Sequence, residues 1–147
     1  MIHNFKPIGN ENFTPIEINI LTDADTFFSN NINYFNNFLE IISQQSIVSC
    51  NMIYRFVTNF CKNNNNLAYI RDSYKNNLKQ YSTEYFDPFC RKHKLAYTCN
   101  NIIVLTSIGQ LNFFKWGFEH KIDSLRSFAT PSATLVPLAL PIPVDQI

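Results

Sequence analysis

Four stretches of this chain repeat apolar residues at the period of an α-helix, and the residues between them cannot continue one. Phe28, Ile32, Phe35, Leu39 and Ile42 form the first stripe. Thr22 followed by Asp25 reads as its capping box and predicts a helix over about 22–44. Ile53, Phe56, Val57, Phe60 and Cys61 follow the serine-rich break at 46–49 and predict a second helix over 47–62, stopped by the Asn run at 63–66. Leu67, Ile70, Tyr74, Leu78 and Tyr81 make a third stripe, with Arg71, Lys75 and Lys79 on the opposite, watered face. Pro88 disfavours helix at Asp87 and so ends that element before it. Three helices in succession favour an antiparallel bundle.

From Arg91 the texture changes. Lys94 to Thr98 and Ile102 to Leu105 are short runs of strand-forming residues separated by Cys99, Asn100 and Asn101, and Asn tolerates the positive φ of a tight hairpin. Ser107 and Gln110 then form a second capping box, and Leu111, Phe114, Phe118, Ile122 and Leu125 predict a closing helix over 108–127. Both ends read as extended arms. Residues 1–21 hold Pro7 and Pro15 and alternate apolar with polar at Ile16, Ile18 and Ile20, which suits an arm ending in a short edge strand. Residues 131–147 carry Pro137, Pro141 and Pro143, which forbid helix and central strand alike. The expectation is a mainly α, α+β domain over 22–130: a helical bundle, a β-hairpin and a closing helix, with arms at 1–21 and 131–147.

A chain of 147 residues can bury roughly 70% of its unfolded surface, enough for one self-sufficient core. Its 46% hydrophobic and 15% aromatic content argues that most of it folds. Only Gly9, Gly109 and Gly117 are present, so the closely spaced glycines of a Rossmann or P-loop site are missing. The net charge of +1 conceals an asymmetry. Residues 1–50 carry Lys6 against five acids, whereas residues 51–126 carry eleven Lys or Arg against five acids. Such a division suggests a polyanion or an acidic partner for the middle segment. The first residues lack the pattern of a signal peptide and no apolar stretch reaches 18 residues, so a cytoplasmic or nuclear location is expected. Cys50, Cys61, Cys90 and Cys99 are then free thiols rather than bridges.

Residues with chemical potential are few. Cys90, His93 and Cys99 resemble part of a metal site but fall short of the four ligands of closed zinc, so neither a metal nor another cofactor is expected. A Cys90–His93 nucleophile pair lacks an orienting group, and Asp23 and Asp25 read as helix-start acids rather than as an acid/base pair. No enzyme is expected. The run Arg91, Lys92, His93 and Lys94 beside Tyr85, Phe86 and Phe89 could hold phosphates and stack bases, or it could be a solvated hairpin edge. Trp116, with Phe113 and His120, lies partly off the core stripe of the closing helix and is either a partner anchor or packed core. In the tail, Leu135, Val136, Leu138, Leu140, Ile142 and Val144 crowd a segment with no charge before Asp145, a density of apolar surface that suits a partner site, with docking back on its own domain as the alternative.

The segments YSTEYFDPFCRKHK (81–94) and TSIGQLNFFKW (106–116) resemble a small uncharacterised protein family of large nucleocytoplasmic DNA viruses. The resemblance covers 81–116. It implies a viral source, with a place in the virion or infected-cell cytoplasm, and brings no activity, cofactor or binding residue. The leading expectation is a non-enzymatic structural or assembly protein that meets neighbouring subunits, as a homo-oligomer or with other proteins, through its apolar C-terminal arm. The rival is a nucleic-acid-binding or regulatory module working through the basic hairpin 91–98 and the helix after it.

Overall fold

The computed structural model describes residues 4–9, 11–46 and 48–122. The first helix begins earlier than the apolar stripe suggests. Thr14 accepts the amide of Glu17 at 3.2 Å through its hydroxyl, Glu17 accepts the amide of Thr14 at 2.9 Å, and Pro15 fills the first helical position where no donor is needed. Helix α1 therefore runs Pro15–Ser29, and the extended arm expected to reach residue 21 stops before it. Ile16, Ile18 and Ile20 are helical rather than alternating: the buried apolar set is Ile20, Leu21, Ala24 and Phe28, while Ile16 faces solvent. The strand anticipated in the arm exists farther upstream as β1, Phe5–Pro7.

The helix expected over 22–44 is two. Asn31 turns its side-chain amide back onto the Phe27 carbonyl at 2.7 Å, a local bond that competes with helix continuation, and α2 restarts at Ile32–Ile42. Thr22 caps nothing; α1 already runs through it, and Asp25 is a tether. Asp25 accepts from Asn4 at 2.9 Å, from Ser29 at 3.1 Å and from the Tyr97 hydroxyl at 2.8 Å, fixing the chain before β1 and the middle of the sheet to α1.

Helix α3, Cys50–Arg55, is capped by Ser49 and widens into a π turn at Phe56–Phe60. It then tightens into 3₁₀ turns at Cys61–Asn63 and Asn65–Leu67, so the Asn run does break the helical path. Helix α4, Ala68–Tyr85, buries Ile70 and Tyr74. It is kinked at Ser82, whose φ of 59° and ψ of 179° leave the helical region before Pro88 is reached.

The hairpin forms where expected, from β2, Lys94–Cys99, and β3, Ile102–Ser107, with Asn100 and Asn101 at φ 52° and 62° in the turn. β1 adds antiparallel to β2, giving the order β1-β2-β3 with Phe5 opposite Tyr97 and Val104 opposite Tyr97 on the other side. One sheet face carries Leu95, Tyr97 and Cys99 into the core, where Tyr97 meets Phe35 edge-on and Phe5 in a stack 4.7 Å between ring centres.

Helix α5, Ile108–Glu119, is the most buried element and packs on α1 and α4. Ser107 caps it by accepting the Gln110 amide at 3.0 Å. Only that half of the expected box forms. The Gln110 side chain accepts from Thr106 at 2.7 Å and donates to the Pro88 carbonyl at 2.9 Å, bracing the helix start against the end of α4. Gly109 permits this seam, since a Cβ there would lie 3.3 Å from the backbone of Tyr85 and Phe86. The helix ends earlier than 127: Lys121 takes φ 62° and its amide returns to Phe118. Leu125 and the whole arm 131–147 lie outside the described residues.

Candidate interaction surfaces

The basic run is exposed along its whole length, and two of its four residues are also tied to acids of the fold. Asp87, 5% exposed beside Pro88, must be paired where it sits, and Arg91 grips it with two bonds of 2.7 and 2.9 Å. His93 sits at φ 51°, with Nε2 2.7 Å from a Glu84 carboxylate oxygen and Nδ1 3.7 Å from Glu17, and its ring stacks on Tyr85. Glu17, 6% exposed, also accepts from the Tyr85 hydroxyl at 2.8 Å, and burial followed by that carboxylate pushes the Tyr85 hydroxyl up to about 12. Together these contacts lock the start of α1, the end of α4 and the approach to β2. Among the described residues, no ion pair holds Lys92 or Lys94.

A cleft of about 410 Å³ opens beside this cluster, lined in part by Ile8, Phe13, Arg91, His93 and Lys94. Its lining also includes Glu11 and Glu17, so its charge is mixed and it does not present the uniform cationic wall that tracks a nucleic-acid backbone.

The cysteines are dispersed. Cys61 and Cys99 are buried, Cys50 and Cys90 half-buried, and all four are free. Burial raises every one of these thiols, Cys50 and Cys61 to about 11, which leaves little thiolate at neutral pH. His93 spends its ring on Glu84 and Glu17, so Cys90 and His93 are not arranged as nucleophile and base. Among the described residues no three His, Cys, Asp or Glu gather as metal ligands. Trp116 is 5% exposed: its indole N–H donates to Ser73 at 2.8 Å and its ring packs on Tyr74, Phe86 and Phe113, so this residue is placed in the core rather than on a partner-facing surface.

The feature that the sequence did not single out is the free edge of β3. Ile103 is 72% exposed and Leu105 64%, with Ile102 beside them at 39%. Bonded and non-bonded residue pairs alternate along an antiparallel ladder. The Ile108 amide donates to the His93 carbonyl at 3.2 Å, which places the bonded pairs of β2 and β3 at Leu95/Thr106, Tyr97/Val104 and Cys99/Ile102. Ile103 and Leu105 therefore turn N–H and C=O away from β2, and no backbone bond among the described residues receives them. The opposite edge is different. β1 has three residues, one of them Lys6, and Pro7 falls at an outward position where its missing N–H costs nothing. A run of Ile, Ile, Val and Leu gives no alternation from which an exposed face could be read.

No helix among the described residues is long and apolar enough to cross a membrane. No solved structure matches the chain. The chain is 42% identical over 137 residues to a protein of Acanthamoeba polyphaga mimivirus named Uncharacterized protein L507, an alignment covering 82% of this chain and 53% of that relative. It thus spans about half the length of the relative, which is itself from a large DNA virus, as the resemblance at 81–116 implies. A family model described as a family of unknown function, DUF7197, matches residues 1–126, and the chain belongs to that family.

Proposed function

We propose that this chain is a non-enzymatic structural or assembly protein of a large DNA virus, acting through apolar surface that meets neighbouring protein subunits. The observation that carries this reading is the β3 edge, where Ile103 and Leu105 are exposed and the strand bears no charge. Edge strands of soluble proteins are usually blunted by Lys, Pro or a bulge, and apolar exposure left without such a device marks a contact. The C-terminal arm, with Leu135, Val136, Leu138, Leu140, Ile142 and Val144, adds further apolar residues to the same purpose. The viral relative supports a place of action in the virion or the infected-cell cytoplasm.

The test is isolation of the native protein from infected cells and particles, followed by mass measurement of the complex. A stoichiometric complex that loses this subunit when residues 131–147 are deleted, or when Leu105 is made Lys, supports the reading. A chain recovered alone, and absent from particles, contradicts it.

The nucleic-acid reading is second, and its support is narrower: of Arg91, Lys92, His93 and Lys94, only the two lysines are without an ion pair among the described residues. If it holds, replacing Lys92 and Lys94 by Ala flattens the salt dependence of binding by close to one unit each. No binding of single- or double-stranded DNA or RNA at low salt removes it.

A further inference from the structure

We propose that β3 pairs with β3 of a second copy of this chain, antiparallel about a two-fold axis at Val104, joining two three-stranded sheets into one of six strands. The inference rests on the assembly reading above and names the partner that the strand itself fits.

The geometry begins with which residues turn outward. Ile103 and Leu105 direct both backbone groups away from β2, because their neighbours Ile102, Val104 and Thr106 occupy the bonded positions. In an antiparallel pair the facing residues exchange N–H and C=O bonds only if both point into the gap. A dyad at Val104 meets that condition: Ile103 faces Leu105 of the partner subunit, Leu105 faces Ile103 of the partner subunit, and four backbone bonds form. Sliding by one residue would set outward groups against inward ones and lose them.

Side chains and charge agree with this register. Cross-strand pairs are the unit of sheet stabilisation, and each pair here joins a β-branched residue to a leucine. A two-fold strand pair brings any charge near its own copy, a repulsion that a self-pairing strand must avoid. Residues 102–107 carry none. An acidic or basic partner strand would find no counter-charge on β3, since Lys94 and Lys6 belong to the other two strands. The same strand in a second copy is uncharged, apolar and already extended. A six-residue strand contact falls below the roughly 800 Å² per partner of a standard interface, so the dimer forms with rising concentration rather than obligately.

Sedimentation velocity of the full chain over a wide concentration range tests the proposal, beside three variants whose fold is checked by circular dichroism. The wild type shifts from monomer to dimer. Leu105→Lys raises the dissociation constant at least about tenfold by setting a charge in each half of the contact. Ile103→Thr, which keeps strand propensity, weakens the dimer less and serves if the lysine variant fails to fold. Lys6→Glu, on the opposite edge, leaves the dimer unchanged. A chain monomeric at every concentration overturns the proposal, as does a dimer that survives Leu105→Lys, or one lost only when residues 131–147 are deleted. A monomeric chain that is still recovered in a stoichiometric complex from infected cells overturns the pairing and leaves the assembly reading standing.

Discussion

The sheet has two edges that solve the same problem in opposite ways. β1 is three residues long, carries Lys6, and places Pro7 where a donor would otherwise face water. β3 is twice that length, carries no charge and no proline, and leaves two outward amides beside two exposed aliphatic side chains. Blunting is thus available to this fold and, among the described residues, is used on one side only. The difference teaches that the apolarity of β3 is not a by-product of packing. Phe5 on the blunted edge is 6% exposed and belongs to the core, whereas Ile103 and Leu105 on the open edge contribute almost nothing to it.

Substitutions sharpen that contrast when ordered by expected effect. Phe5→Ala removes the ring stacked on Tyr97 and should cost about 3–5 kcal/mol in a denaturant titration. A loss under about 1 kcal/mol there would mean that β1 is held by its backbone alone. Gly109→Ala drives a methyl to 3.3 Å from the Tyr85 and Phe86 backbone, where neither neighbour can rotate away, and should cost about 1–3 kcal/mol. Ser107→Ala leaves the Gln110 amide without its acceptor and should cost about 1 kcal/mol. Ile103→Ser, on the open edge, should change monomer stability by no more than about 0.5 kcal/mol when measured at low protein concentration. If it costs as much as Ser107→Ala, the edge is part of the core and the contrast fails.

Local signals in the sequence are sufficient for some elements and not for others. The Asn100–Asn101 turn and the Ser107 cap depend on residues adjacent in the chain, and both form as the sequence implies. The start of α1 is hidden because Pro15 reads as a mark of extended chain, whereas Thr14 and Glu17 on either side make it the first residue of a capped helix. The break at Asn30 and Asn31 lies inside an apolar stripe whose spacing continues from Phe28 to Ile32 regardless, so periodicity cannot see it. The early end of α5 depends on Lys121 adopting a left-handed conformation that its side chain does not announce. For the basic run the residues are legible but their partners are not. Glu17 and His93 are 76 positions apart and meet only once α1, α4 and β2 are in place. The exposure of β3 is the least legible, because which face and which edge of a strand remain open is decided by what packs elsewhere.

Hydrogen exchange along β3, followed amide by amide at a concentration low enough to keep the chain monomeric, tests the central claim most directly. The pairing of β2 with β3 predicts alternation: the amides of Ile102, Val104 and Thr106 are protected by β2, while those of Ile103 and Leu105 exchange near the rate of an unstructured peptide. The buried amides of Leu111, Phe113 and Phe114 in α5 should exchange only with global unfolding. Protection of Ile103 and Leu105 in the monomer, at a level matching that of their neighbours, would contradict the account, because it would show that another part of the same chain already closes this edge.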